Sequence, residues 1–285
     1  MRILLTGATG FIGRHVGELA AAEGIEVVAA SRSAGLDLRS ARVTARWVRE
    51  VAPDAVVNCA GVTHGPPDAL VAGNVVAVAH LVAAVAGRGV RLVHLGSAAE
   101  YGNTPAGKPV TEDTAPAPAG AYGITKLGGT ELIRAAVAEG TDAVALRVFN
   151  PVGPGSPASS LAGRLARELA GDGGDVRVGS LDAHRDLVDV RDVAAAIVAA
   201  ARAPGPLPPV LNVGSGRATR LRELVDSLVL ISGADRRVVE APGGPDGIPW
   251  SQADLSAVRG ALGWEPLIDL GTSLRDLWED RVCLT

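Results

Sequence analysis

Cysteine, lysine and long hydrophobic runs are all scarce in this chain. Of 285 residues only two are cysteine, Cys59 and Cys283. Two distant cysteines form neither a disulfide framework nor a zinc site, and they suit a reducing cytosol. His15, His64, His80, His94 and His184 show no ligand spacing with cysteine or carboxylate, so no metal is expected. There is no basic tail or polybasic run, and the formal net charge is -4, which argues against general nucleic-acid binding. The opening "MRILLTGATG" has too short an apolar run for a signal peptide. The alanine-rich run 193–201 is too short to cross a bilayer. A cytoplasmic protein, free of membrane and nucleic acid, is expected.

The shortage of lysine is the most informative of these. Of 27 basic residues only Lys108 and Lys126 are lysine. Lys126 closes "AYGITK", four residues after Tyr122, one of two tyrosines. On a helix that spacing puts both side chains on one face. An ammonium beside a phenol is expected to lower its pKa from the usual value of about 10. A tuned phenol is a suitable acid for a carbonyl oxygen whose carbon accepts hydride. Lysine, a compact charge on a flexible stem, can also reach a ribose hydroxyl. Ser97 ends "RLVHLGS" and can hydrogen-bond the same carbonyl. Ser97, Tyr122 and Lys126 are therefore the candidate catalytic residues. The plain alternative is a strand-end serine beside an ordinary helix-surface pair.

Hydrophobic residues make up 47% of the chain and charged residues 20%, enough for a sizeable core. Runs rich in Val, Ile and Leu recur at 3–7, 26–31, 55–61, 91–97, 143–150 and 210–216. Between them, 11–23, 40–51, 69–88, 121–139 and 190–202 have helical spacing. Strands alternating with helices predict an α/β protein, a doubly wound parallel sheet of the Rossmann type. Residues 1–150, with 186–216 returning, are read as a dinucleotide-binding domain. Residues 151–185 and 217–285 are read as a smaller α/β substrate-binding cap, with Trp264 and Trp278 inside it. Gly and Pro cluster in loops at 151–157, 204–209 and 242–249.

"GATGFIG" places Gly7, Gly10 and Gly13, with Thr9, Phe11 and Ile12, after the first strand and at the start of a helix. Glycines let the backbone approach a pyrophosphate, and the helix N-terminus supplies its amides and dipole. The second strand ends in "ASRS", where Ser31 and Arg32 stand and no acid does. Arginine can pair with a ribose 2′-phosphate, so NADPH (NADP) is expected, with NAD as the alternative. Asp37 and Leu38 are expected at the adenine edge. Cys59, Ala60 and Gly61 in "NCAG" are expected beside the cofactor at the end of the third strand. His64, just beyond, is a candidate substrate contact.

With "LGSAAEYG", "AYGITK" and "RVFNPVGPG", these segments resemble the extended short-chain dehydrogenase/reductase superfamily, nearly end to end. The resemblance implies a nucleotide-linked sugar as substrate and Ser97, Tyr122 and Lys126 as the catalytic set. It implies a cofactor contact at Asn74 and substrate contacts at Ser97, Ala98, Asn150 and Arg185. Arginine's forked donors suit a diphosphate. Ala98 and Ala99 stand where the 4,6-dehydratases carry an Asp-Glu pair, so water elimination is not expected. The blocks look most like the nucleotide-sugar 4-ketoreductases of the GDP-4-keto-6-deoxymannose and dTDP-4-dehydrorhamnose types. A 4-epimerase retaining NAD, a ketoreductase of a non-nucleotide substrate and a dinucleotide sensor are the alternatives. Ala257 stands where relatives usually have lysine, and no arginine lies between Arg237 and Arg259. A homodimer is expected, packed through 69–88 and 121–139, with Gly128 and Gly129 allowing close approach.

Overall fold

The computed structural model describes residues 1–240 and 248–282. Cys283 and most of the Gly/Pro cluster at 242–249 lie outside the described residues.

The first half alternates strand and helix as its apolar periodicity requires. It runs β1 (Arg2–Thr6), α1 (Phe11–Ala22), β2 (Glu26–Ala30), α2 (Ala41–Val51) and β3 (Ala55–Asn58). Then come α3 (Pro67–Val71), a π-helical turn (Ala72–Val76), α4 (Ala77–Val85) and β4 (Arg91–Ser97). A 3₁₀ turn (Ala98–Glu100), α5 (Ala121–Ala138) and β5 (Ala143–Val148) complete it. The second half contains β6 (Asn150–Val152), α6 (Leu161–Leu169), β7 (Val176–Val178), β8 (His184–Asp189) and α7 (Val190–Arg202). It continues with β9 (Val210–Val213), β10 (Ala218–Arg220), α8 (Leu221–Ser232), β11 (Val238–Glu240), α9 (Ser256–Leu262) and α10 (Leu270–Val282).

Six parallel strands form one sheet in the order β2-β1-β3-β4-β5-β9. The order reverses between β1 and β3, and a parallel sheet binds ligands outside its carboxyl edge at such a point. Both faces are covered, as a parallel sheet demands. In β1, Ile3 and Leu5 face a core shared with Val16 of α1 and Val193 of α7. Leu4 points the other way, to Val48 of α2, Leu81 of α4 and Ile133 of α5. A third core gathers Val152, Leu165, Leu224, Leu228 and Leu277, beside the small sheet β10-β8-β6 and the pair β11-β7. Trp278 packs against it. Trp264 does not, which corrects the expectation that both lie inside one cap. It joins the core on the α7 side, and its indole N–H donates to the Asp192 carbonyl at 3.1 Å.

By length and apolarity Pro67–Val85 qualifies as a membrane span. In the fold this segment packs against α2 and α5. It also buries Asn74, and His80 shares a hydrogen bond with the Leu38 carbonyl at 2.8 Å. A Cβ on Gly129 of α5 would lie 2.7 Å from the Asn74 carbonyl oxygen. This glycine therefore serves a close approach of helices within one chain.

Ala52, which ends α2, is the non-glycine residue with left-handed backbone (φ 45°) among the described residues. A Cβ is unfavourable there, by ~1 kcal/mol. Ala52→Gly is expected to raise stability by about 0.5–1 kcal/mol. The check is the midpoint and slope of urea unfolding.

Candidate active site

The site begins where β1 ends. Gly7 has φ 68°, and a Cβ there would lie 2.6 Å from Ala60 N, so β1 and the loop after β3 meet backbone to backbone. A Cβ on Gly13 would stand 2.1 Å from the Gly7 carbonyl oxygen, which fixes glycine at the first turn of α1. No side chain caps α1 at Gly10, and no acid lies in its first turn. Gly10, Phe11, Ile12 and Gly13 open onto a cavity of about 760 Å³ at the carboxyl edge of the sheet. That is towards the large end of small-molecule sites. Uncapped amides, a positive dipole end and a bare backbone are what a pyrophosphate needs, so these residues fit a dinucleotide.

Cys59, Ala60 and Gly61 also line the cavity, as does Asn74. Asn74 Oδ1 accepts from Val62 N, and its Nδ2 donates to the Val62 carbonyl, each at 2.8 Å. It therefore staples the loop after β3 to the π-helical turn. Burial pushes the Cys59 thiol up to about 12, so it stays protonated and unreactive.

Ser97, Tyr122 and Lys126 converge on the same cavity, with Ala98 beside them. Ser97 ends β4 and caps the 3₁₀ turn, its Oγ accepting from Ala99 N at 3.2 Å. Burial holds the Tyr122 phenol above its ordinary range; a hydrogen bond with the Ser97 side chain opposes the rise and the charge of Glu100 adds to it. The net shift is upward, opposite to the lowering expected from the spacing to Lys126. Its ammonium instead donates to the Leu95 carbonyl, on the sheet side of the helix. Burial holds it down at about 8, with the charge of Glu100 opposing. The site at neutral pH is thus a neutral phenol beside a charged ammonium.

The opposite wall comes from the second half of the chain. Asn150 and Arg185 line the cavity. Asn150 Nδ2 donates to the Asp186 carbonyl at 3.0 Å. Alternation along β8 sends Arg185 to the cavity and Asp186 into the protein. Asp186 is buried and accepts from Ser215 N, Ser215 Oγ, Gly216 N and Ala253 N. Arg185 donates to the His184 carbonyl at 2.9 Å and forms no ion pair among the described residues. Burial alone lowers its pKa. No carboxylate lines this cavity among the described residues.

The remaining candidates lie off the cavity wall. Gly7 shapes the loop from behind, and Thr9 is exposed. Ser31 turns inward on its own loop, sharing a hydrogen bond with Ser33 Oγ at 2.8 Å, and Arg32 is exposed. Asp37 is held by Arg39, with Oδ2 2.8 Å from Nη2, and lies at about 2. Leu38 gives its carbonyl to His80. His64 is exposed and shares a hydrogen bond with Thr63, which does line the cavity.

Glu100, Arg147 and Asp186 support the site and escaped sequence reasoning. Glu100 had a signal: Ser97-Ala-Ala-Glu100 is a capping box, and its reciprocal bonds are present. Arg147 and Asp186 had none, because their partners are far away in the chain.

The family model for the NAD dependent epimerase/dehydratase family matches residues 3–214. The chain belongs to this family. Similar members include dTDP-6-deoxy-L-talose 4-dehydrogenase (NAD(P)(+)) of Kitasatospora kifunensis, 39% identical over 97% of this chain and 94% of that one. UDP-glucose 4-epimerase of Azospirillum brasilense is 31% identical, over 94% of this chain and 88% of its own. The solved structure of RMD from Pseudomonas aeruginosa complexed with NADPH has a TM-score of 0.89 and 27% identity, covering 100% of this chain and 99% of that one. The Rossmann-type sheet is thus shared with the family.

His94 of β4 lies beneath this site, 1% exposed. Asn58 Nδ2 is 3.0 Å from its Nδ1, and Asn58 Oδ1 already accepts from Thr6. The amide therefore donates to Nδ1 and the ring proton sits on Nε2, buried without a partner. Burial, helped by Lys126, lowers its pKa well below the ordinary 6.5. Below that pH the unfolded chain binds a proton that the folded one refuses, so this contribution is present above 6.5 and lost as pH falls. Stability measured by urea unfolding is expected to drop by about 1.4 kcal/mol per pH unit from this residue. His94→Gln is expected to flatten that slope.

Proposed function

We propose that the protein reduces a keto group with NADPH, at C4 of a nucleotide-linked 4-keto-6-deoxysugar. The observation that carries this reading is the chemical inventory of the cavity. It holds a hydroxyl pair, a buried ammonium, a guanidinium without an ion-pair partner and, among the described residues, no carboxylate. Abstraction of a proton from carbon by Asp or Glu has no agent here. Ala98 and Ala99 leave water elimination equally unserved.

Ser97 donates to the substrate carbonyl and orients it. Tyr122, held protonated by burial, delivers its proton to that oxygen. A bound nicotinamide supplies the hydride. Lys126 keeps a positive charge under the phenol as it becomes a phenolate. Arg185 and Asn150 hold the phosphates, which give the half-buried guanidinium its counter-charge.

Arg32 directly after β2 supports NADPH, because the nearby acid, Asp37, is already engaged by Arg39. The NADPH of the RMD structure supports the same choice. The 4-dehydrogenase relative, named for a dTDP-linked 6-deoxysugar, supports the position and the substrate class. The similarity to a UDP-glucose 4-epimerase carries a second reading, in which NAD is retained and the same hydroxyl is oxidised and re-reduced.

The deciding assay follows NADPH oxidation with dTDP- and GDP-4-keto-6-deoxysugars, with product configuration by NMR. Exchange of free NADPH supports the reductase; tightly retained NAD and interconversion of UDP-sugars supports the epimerase. Tyr122→Phe is expected to cut kcat by roughly 10²–10⁴-fold with NADPH affinity unchanged. Wild-type turnover in that variant would remove Tyr122 as the donor.

Arg185→Met tests the phosphate contact. KM is expected to rise by roughly 10–100-fold, with a smaller change in kcat. Folding stability should change little or rise, since a half-buried charge without an ion-pair partner among the described residues is gone. An unchanged KM would place the phosphates elsewhere.

A further inference from the structure

Beneath Ser97 lies a buried charge pair that the proposed chemistry leaves unused. Glu100 and Arg147 are both 0% exposed, with Arg147 Nε 2.7 Å from Glu100 Oε2. The other carboxylate oxygen accepts the Ser97 N–H at 2.8 Å and the Thr130 hydroxyl at 3.0 Å. Ser97 ends β4, Arg147 is on β5, and Thr130 is on α5, one turn beyond Lys126. One carboxylate thereby joins β4, which carries Ser97, and α5, which carries Tyr122 and Lys126, to β5. A Cβ on Gly96 would stand 2.8 Å from Glu100 Oε1, so the strand is bare where the carboxylate crosses it.

Two buried ions cost several kcal/mol each in lost hydration, and an apolar pair of the same volume would often be as stable. The arginine is not fully compensated either. Its Nη1 and Nη2 have no hydrogen-bond partner among the described residues, and its guanidinium carbon lies 4.5 Å from the centre of the Tyr101 ring. Packing alone does not explain a carboxylate here. Its geometry supplies two things a hydrocarbon cannot: an acceptor for the amide of the reacting serine, and a negative charge under α5.

We propose that Glu100 is a positioning residue: its buried carboxylate, held by Arg147, sets the place of the Ser97 hydroxyl and keeps Lys126 charged. Glu100 faces Arg147 of β5, Tyr101 beyond the 3₁₀ turn, and Tyr122 and Lys126 of α5. Around Lys126 stand Glu100, Cys59 and His94. The cysteine is a neutral thiol and the histidine a neutral ring, so Glu100 is the negative charge that opposes the loss of the lysine's proton.

The chain contains only Lys108 and Lys126, so protein labelled with ¹³C at lysine Cε gives two signals, one exposed and one buried. Two double variants avoid stranding an unpaired buried charge. Glu100→Gln with Arg147→Met removes the charges and keeps an acceptor for Ser97 and Thr130. Glu100→Leu with Arg147→Met removes the acceptor as well. In both, the Lys126 signal is expected to titrate at lower pH than in the wild type, while Lys108 stays in place. The activity arm rests on the ketoreductase reading. With a 4-keto-6-deoxysugar nucleotide, kcat is expected to fall roughly tenfold in the Gln variant and a hundredfold in the Leu variant, with KM nearly unchanged. An unmoved Lys126 titration in both folded variants, or wild-type kcat in the Leu variant, overturns the proposal. The titration needs no substrate, so it decides the role of Glu100 even if the wild type turns over none of these sugars.

Discussion

Glu100 and Arg147 meet where no water reaches, and a buried pair of this kind is stable only as a pair. Removing one partner strands the other at a cost of about 3–5 kcal/mol. The pair therefore constrains everything attached to it. β4 must end where its amide can reach the carboxylate, α5 must offer Thr130, and β5 must present Arg147 from the next strand. The Tyr101 ring covers the arginine and in turn donates its hydroxyl to Asn212 Oδ1 at 2.7 Å, reaching β9. Asn212 Nδ2 then donates to the Val110 carbonyl at 2.9 Å. A polar chain thus runs from Ser97 across half the sheet, inside an otherwise apolar layer. Networks of this sort specify one arrangement because each alternative leaves a buried group unpaired.

The opposite wall is fixed by a different device. Asp186 pairs with no cation among the described residues; four donors from two distant segments surround it. Burial still raises its pKa, so the hydrogen bonds do not fully replace water. What they achieve is mechanical. They tie β8 to the loop after β9 and to Ala253, and this holds Arg185 on the cavity side of the strand. One wall is therefore organised around an ion pair and supplies hydroxyls and an ammonium. The other is organised around a lone carboxylate turned away from the cavity and presents a lone guanidinium to it.

How much of this was legible depended on distance along the chain. The six parallel strands were readable because each apolar run is self-contained and its burial on both faces shows in composition. The glycines after β1 were readable because the turn is local. The capping box at Ser97 was written in four consecutive residues. Trp264 was misplaced because its partner is Asp192, seventy-two residues away, and nothing local distinguishes one core from another. The direction of the Tyr122 shift beside Lys126 was misjudged for a related reason. The i, i+4 rule places both on one face, but it does not say that the Leu95 carbonyl waits there for the ammonium. Position 129 was legible as a glycine for close approach to 69–88, but the approach it serves, to the Asn74 carbonyl, lies within one chain.

The proton affinities of Tyr122 and Lys126 have a chemical consequence. In water a lysine, at 10.5, holds its proton slightly more tightly than a tyrosine, at 10.0. Here the order is reversed: the phenol is raised and the ammonium lowered, both mainly by burial. As pH rises, the lysine surrenders its proton before the tyrosine does. Near neutrality both groups still hold theirs, and the site stands ready to donate. In the proposed reduction, a carbonyl oxygen gaining charge would meet a neutral phenol whose conjugate base forms beside a cation. The reverse direction requires that phenol to begin without its proton, a state burial opposes. The desolvation that disfavours the phenolate therefore suits the proton-donating direction of the proposed reaction near neutral pH.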